Sequence, residues 1–164
     1  MEKIYSEEIR KITRSKKAIE DALSVKLIIE GRIINIDGKP EDEMICLEVI
    51  EAINLGFTVA EALDLKQDDF ILEKVQIKTI SRRHDLSQVR ARVIGTKRKA
   101  MDNIEYLTDC DIVLHDNTIG IIGKIENVKH ASYAIRKLVA GSKHANVYAY
   151  LEEQKAKEKA SFYQ

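Results

Sequence analysis

The chain has 164 residues, enough for one medium domain or two small ones, and 45% of them are hydrophobic, so it can bury real cores. Lys plus Arg number 27 and so do Asp plus Glu, so the net charge is zero and any attraction to a polyanion has to come from local clustering. No apolar run reaches the roughly 18 residues that a bilayer span needs, and the opening MEKIYSEEIRKIT is too charged for a secretory signal, which points to the cytoplasm.

From the amino terminus, a short strand at Glu2 to Tyr5 leads into helical sequence that turns near Arg10 to Lys17 and ends near Leu23. Val25, Leu27 and Ile29 alternate with Lys26, Ile28 and Glu30, as a half-buried strand does, and a second strand follows around Ile34 and Ile36. Cys46, Ile50, Ile53 and Phe57 recur at helical spacing, and Gly56 suits the left-handed residue that closes many helices. Thr58 to Asp69 reads as a small helix capped by Thr58, with Glu61 three residues on. Phe70 to Ile80 alternates as a strand, and Leu86, Val89 and Val93 form the apolar face of a short helix. A turn and a helix ending near Leu107 follow. Cys110, Ile112 and Leu114 then alternate with Asp111, Val113 and His115, and Ile119 and Ile121 mark the next strand. Val128, Ala131, Ile135 and Leu138 define a helix closed by Gly141, and Asn146 to Lys159 a terminal helix beyond which the last few residues fray.

Shifted by 85 residues, the chain matches itself without a gap from Ala18–Gly56 to Asn103–Gly141. Ile19 and Glu20 fall on Ile104 and Glu105; Ile34, Ile36 and Gly38 fall on Ile119, Ile121 and Gly123; Ile50, Ile53 and Gly56 fall on Ile135, Leu138 and Gly141. Two copies of one fold are implied. The order strand, helix, turn, helix, strand, strand, helix is that of a type I KH domain. The reading is therefore α+β, with two tandem type I KH-like domains (β-α-α-β-β-α), the first diverged or shortened, and a C-terminal helix. The divisions are 1–57, a helical connector at 58–69, 70–141, and 142–164.

The turn between the two adjacent helices of the second copy is the candidate site. A KH domain grips about four nucleotides by letting the sugar-phosphate backbone approach a glycine loop at a helix amino terminus. There, free N–H groups and the helix dipole favour phosphate. Here Arg90, Arg92, Val93 and Ile94 lead into Gly95, Thr96, Lys97, Arg98 and Lys99, with Gly95 at the first glycine position and Arg98 at the second. Arg98 leaves two outcomes open: weakened binding, or a charge-assisted contact replacing a backbone one. The lysines and arginines would hold phosphates and an apolar groove beside Val93 and Ile94 would seat bases, with Arg82 and Arg83 as accessory contacts. Against them from Arg82 to Lys99 stands Asp85 alone, although a solvated basic face would look similar. The literal GxxG at Gly120–Gly123 encloses two isoleucines in a strand pattern and is assigned no ligand.

In the first copy no glycine precedes Gly31, so Arg10, Lys11, Arg14, Lys16 and Lys17 could act only as point charges, and a role in packing or protein contact is favoured. Enzymatic readings fare poorly. His84, His115, His130 and His144 lack metal-ligand spacing, Asp68–Asp69 lie in the connector, and Asp109 and Asp111 bracket a strand start. Cys46 and Cys110 read as reduced core residues. Neither metal nor cofactor is expected. Scarce aromatics and no Trp count against a platform of stacked bases.

Ala52-Ile-Asn-Leu-Gly-Phe-Thr-Val-Ala-Glu-Ala-Leu63, Arg92-Val-Ile-Gly95, Asn103-Ile-Glu-Tyr-Leu-Thr108 and Val147-Tyr-Ala-Tyr-Leu-Glu152 together resemble the archaeal tandem-KH proteins related to the eukaryotic small-subunit assembly factors called partner of Nob and Krr. The resemblance runs over nearly the whole length. It implies a non-catalytic factor that binds single-stranded RNA in the 3′ region of small-subunit ribosomal RNA during its maturation. It also implies contacts with the Nob endonuclease and the alpha subunit of initiation factor two. The chain departs from the family in lacking the second loop glycine of its second copy. The competing reading is a protein-interaction scaffold whose KH copies no longer bind RNA.

Overall fold

Segments with one apolar face pair as antiparallel strands, which bury that face and leave the other wet. In the computed structural model, which describes residues 1–163, β1 (Glu2–Tyr5), β2 (Lys26–Glu30) and β3 (Ile33–Asp37) form a sheet in the order β1-β3-β2. A second sheet, in the order β4-β6-β5, comprises β4 (Phe70–Gln76), β5 (Asp111–His115) and β6 (Thr118–Lys124). The chain divides into two compact units, Met1–Leu72 and the residues from Glu73 onward.

The first unit carries α1 (Ile9–Arg14), α2 (Lys16–Leu23), α3 (Pro40–Leu55) and α4 (Val59–Leu63). Its leading strand is short, yet all four residues pair with β3, from Glu2 opposite Ile36 to Tyr5 opposite Ile33. Ile12, Ile19, Ile34, Ile36, Ile50, Ile53 and Phe57 make its core. Each contributes on the order of 1.5–3 kcal/mol by leaving water. The capping box at Thr58 forms as expected: Thr58 Oγ1 accepts the Glu61 N–H at 3.1 Å and Glu61 Oε1 accepts the Thr58 N–H at 2.9 Å. The segment does more than connect, because Ala62 and Leu65 are buried and α4 packs on α3 within the first unit.

The second unit carries α5 (Ile77–Ile80), α6 (Ser87–Ile94), α7 (Lys99–Thr108), α8 (Ile125–Ala140) and α9 (His144–Phe162). The run expected as one strand to Ile80 stops at Gln76 and closes into the single turn α5. There the Ile77 N–H donates to the Asn117 carbonyl at 2.9 Å while its side chain is fully buried. Gly120 to Gly123 lies inside β6, with Ile121 and Ile122 buried, so that GxxG is strand. The last helix begins earlier and ends later than its pattern suggests, and Val147 and Leu151 pack it on α7 and α8. It is part of the second core and not an appendage. The last few residues, expected to fray, instead continue the helix to Phe162, and Gln164 lies outside the described residues. Among the described residues no helix is long and apolar enough to cross a membrane.

The repeat is kept in backbone detail. β2 and β5, and α3 and α8, start and stop 85 positions apart. Left-handed residues recur at the same offset: Ser24 (φ 56°) with Asp109 (53°), Gly31 (64°) with Asp116 (52°), and Gly56 (111°) with Gly141 (108°). So do two contacts. Glu20 Oε2 accepts the Leu27 N–H at 2.8 Å, as Glu105 Oε2 accepts the Ile112 N–H at 3.4 Å. A Cβ at Gly38 would lie 3.0 Å from Val25 Cγ1, and one at Gly123 would lie 2.7 Å from Cys110 Sγ.

Candidate nucleic-acid interface

α6 ends because Gly95 takes φ 78° and ψ 168°, a conformation barred to other residues at low cost. Space requires the glycine as well, since a Cβ there would sit 2.6 Å from the Ala100 nitrogen. Lys97 (φ 54°) and Arg98 (φ 64°) then adopt left-handed conformations, each strained by about 1 kcal/mol or more in a residue with a Cβ. The result is a tight reversal after which α7 starts at Lys99 with no side-chain cap at its amino end. Thr96, Lys97, Arg98 and Lys99 are exposed along it. Lys97 and Lys99 form no ion pair among the described residues.

The arginines are committed elsewhere. Arg90 Nη1 donates to Asn117 Oδ1 at 2.6 Å, on the turn between β5 and β6. Arg92 Nε donates to the Leu138 carbonyl at 3.1 Å and its Nη2 to that of Ser142, so it closes the carboxyl end of α8. Arg98 donates through Nη1 to Asp102 and Glu105, and through Nη2 to the Ile112 carbonyl at 3.0 Å. Partial burial works against that charge, and the bonds to Glu105 and Asp102 outweigh it, holding the guanidinium above its ordinary pKa. Val93 is fully buried and offers a ligand no surface, which corrects its expected place in a groove; Ile94 is half-buried.

Two grooves flank α6. One, of about 330 Å³, joins Ala91, Arg92, Gly95, Thr96, Lys99 and Ala100 to His144 and Tyr148 of α9. His144 Nε2 lies 2.9 Å from the Arg92 carbonyl. The other, of about 910 Å³, is lined by Arg82, Arg83, Val89, Ala91 and the carboxyl end of α8. Thus Lys97, Lys99 and Gly95 come together at the loop, while Arg82 and Arg83 gather at a separate groove. Sequence reasoning missed Asp102 and Glu105, although both lie four and seven residues after Arg98 on one helix face. It also missed His144 and Tyr148, for which the sequence carried no signal.

In the first unit the corresponding turn is the single residue Ser15 between α1 and α2, at φ −106°. It has neither glycine nor a positive φ. Lys11 pairs with Glu8 at 3.8 Å, and Arg14 Nε donates to the Arg10 carbonyl at 3.5 Å.

Residues 71–156 match the family model for the second KH domain of PNO1, a eukaryotic-type KH domain (KH-domain type I). A KH domain-containing protein of Methanocaldococcus jannaschii is 34% identical over 149 residues, 87% of this chain and 66% of its own length. The pre-rRNA-processing protein PNO1 of Gibberella zeae is 32% identical over 118 residues, 70% of this chain and 46% of its own. The chain therefore spans between about half and two thirds of these curated relatives. A chain in the crystal structure of an a/eIF2alpha–aDim2p–rRNA complex from Pyrococcus horikoshii is similar with a TM-score of 0.85 and 27% identity, over 95% of this chain and 94% of that one.

Proposed function

Because the chain belongs to the PNO1 family of type I KH-domain proteins, we propose that it binds single-stranded RNA in the 3′ region of small-subunit ribosomal RNA, as a ribosome-assembly and rRNA-processing factor. The observation that carries this reading is the pair Lys97 and Lys99, exposed and without ion pairs among the described residues, on a left-handed turn at the uncapped amino end of α7. A helix amino end with mobile cations beside it attracts phosphate through its N–H groups, its dipole and release of counterions. Arg82 and Arg83 extend the cationic surface, while Arg90 and Arg92 hold the domain that presents it.

The second KH domain, 70–141, does this work, supported by the helix within 142–164. The first, 1–57, lacks a phosphate-binding turn and serves packing or protein contact, with 58–69 joining the two. The alpha subunit of initiation factor two, whose archaeal form is in the resembling rRNA complex, is a partner, and the Nob endonuclease is another. The protein acts in the cytoplasm and catalyses nothing itself.

A titration against RNA from the 3′ end of small-subunit rRNA, with a scrambled control at two salt concentrations, tests the reading. Binding is expected to prefer the ribosomal sequence and to weaken with salt. Lys97→Glu with Lys99→Glu is expected to lower affinity more than about tenfold and to flatten the slope of log K against log salt by about 1.4, the share of two phosphate contacts on a single strand. Unchanged affinity in that variant would remove the loop from the site. No binding at low salt would leave a scaffold acting through protein partners.

A further inference from the structure

Aromatic residues are scarce in this chain, six tyrosines and three phenylalanines, yet three of them meet at one groove of the second unit. Tyr106 near the end of α7, with Phe162 and Tyr163 at the end of α9, lines a space of about 640 Å³. The three rings are 75%, 84% and 84% exposed, so they bury little apolar surface for the fold. Lys124, at the start of α8, and Lys155 and Lys159 of α9 complete the rim. Lys155 Nζ stands 4.4 Å from the centre of the Tyr106 ring. None of the three lysines forms an ion pair among the described residues, and they outnumber the two acids of the groove, Asp109 and Glu158.

The groove is continuous with the loop through one face of α7. Lys99 and Tyr106 are seven residues apart on that helix, which is two turns to within about 20° of rotation, so both stand on the same side about 10 Å from one another. That separation is about three nucleotides at the roughly 3.4 Å rise of a stacked strand. Exposed rings among unpaired cations are what a single strand of nucleic acid recognises, since each base has a face to stack and each phosphate a charge to neutralise.

Resting on the RNA-binding reading above, we propose that the groove of Tyr106, Lys155 and Phe162 is a second RNA subsite, which takes the nucleotides next to those held at the loop. A base stacks on the Tyr106 ring and a neighbouring one on Phe162. The flexible stem of Lys155 lets its ammonium leave the ring for a phosphate, with Lys124 and Lys159 beside it. Stacking accepts any base, so this subsite adds affinity and length to the footprint and leaves sequence preference to the loop.

The test is a fluorescence-anisotropy titration of the full chain against an eight-nucleotide RNA from the 3′ end of small-subunit rRNA and a four-nucleotide RNA nested within it. The longer RNA is expected to bind at least about tenfold more tightly. Tyr106→Ala and Phe162→Ala are each expected to weaken the longer RNA about fivefold or more and to leave the shorter one unchanged, while Tyr106→Phe keeps both. Lys155→Gln is expected to flatten the slope of log K against log salt by about 0.7 for the longer RNA alone. All three positions lie at the surface, and thermal melts accompany the variants. Equal affinity for the two lengths overturns the proposal and leaves the RNA reading standing. Unchanged binding of the longer RNA by both alanine variants overturns it too, and would leave the groove to a protein partner. Binding to neither RNA overturns the RNA reading together with this one.

Discussion

Gly95 shows how one position can serve fold and ligand at once. Its φ of 78° and the 2.6 Å approach of a would-be Cβ to the Ala100 nitrogen both demand glycine before any phosphate is considered. Gly95→Ala is expected to destabilise the protein by more than about 2 kcal/mol in urea unfolding. Gly31→Ala, at φ 64° in open space, is expected to cost about 1 kcal/mol. Loss of RNA binding in a Gly95 variant would therefore report on the helix turn, whereas Lys97 and Lys99 report on charge. Burial also sets the chemistry of Cys46 and Cys110, whose thiols are pushed from 9.0 up to about 12 by desolvation. Alkylation by iodoacetamide at pH 8 is expected to be slow in the native protein and fast in urea. The folded state holds those protons above pH 9, where the unfolded chain releases them, so stability is expected to fall as pH rises from about 9 toward 12.

Packing of elements depends on a few complementary pairs, the clearest being Gly123 against Cys110. A methyl group at Gly123 would overlap Cys110 Sγ, so Gly123→Ala is expected to cost about 1–3 kcal/mol through overpacking between the ends of β5 and β6. Cys110→Ala removes the obstructing sulfur. In a double-mutant cycle the pair is expected to cost less than the two single changes added together, and strict additivity would disprove the contact. The α4 cap is a second such case. Thr58→Ala removes the acceptor for the Glu61 N–H and is expected to lower the stability of the first unit by about 1 kcal/mol, measured by thermal unfolding.

Division of the chain into two compact units, with α9 packed into the second, bears on where the protein can be cut. A chain starting at Asp68 keeps all of β4 and is expected to unfold cooperatively and to retain salt-dependent RNA binding. One starting at Glu73 loses Phe70, Ile71 and Leu72 from that edge strand and is expected to unfold at a lower temperature or not to fold. Circular dichroism melts of the two pieces decide the point.

Much of this architecture is local in origin and so was legible as pattern: strand alternation, helical spacing around Ile50 and Ile135, the Thr58 capping box, and glycines closing α3 and α8. The 85-residue repeat carried the order of elements, because both copies bury the same positions. What pattern could not supply is which partner a long side chain finds. The charges of Arg90, Arg92, Lys97, Arg98 and Lys99 look equivalent along the chain, yet Arg90 and Arg92 are held by acceptors 27 to 50 residues away, Arg98 by the nearby Asp102 and Glu105 and by the Ile112 carbonyl, and the two lysines form no ion pair among the described residues. The distant acceptors are backbone carbonyls and an asparagine brought near by sheet order and helix packing, and a carbonyl has no letter in a sequence. The same limit hid the groove that α9 completes, whereas the burial of Val93 follows from its place beside Leu86 and Val89 on one apolar helix face. Local propensity decides which elements form; only their assembly decides which charges remain available to a ligand.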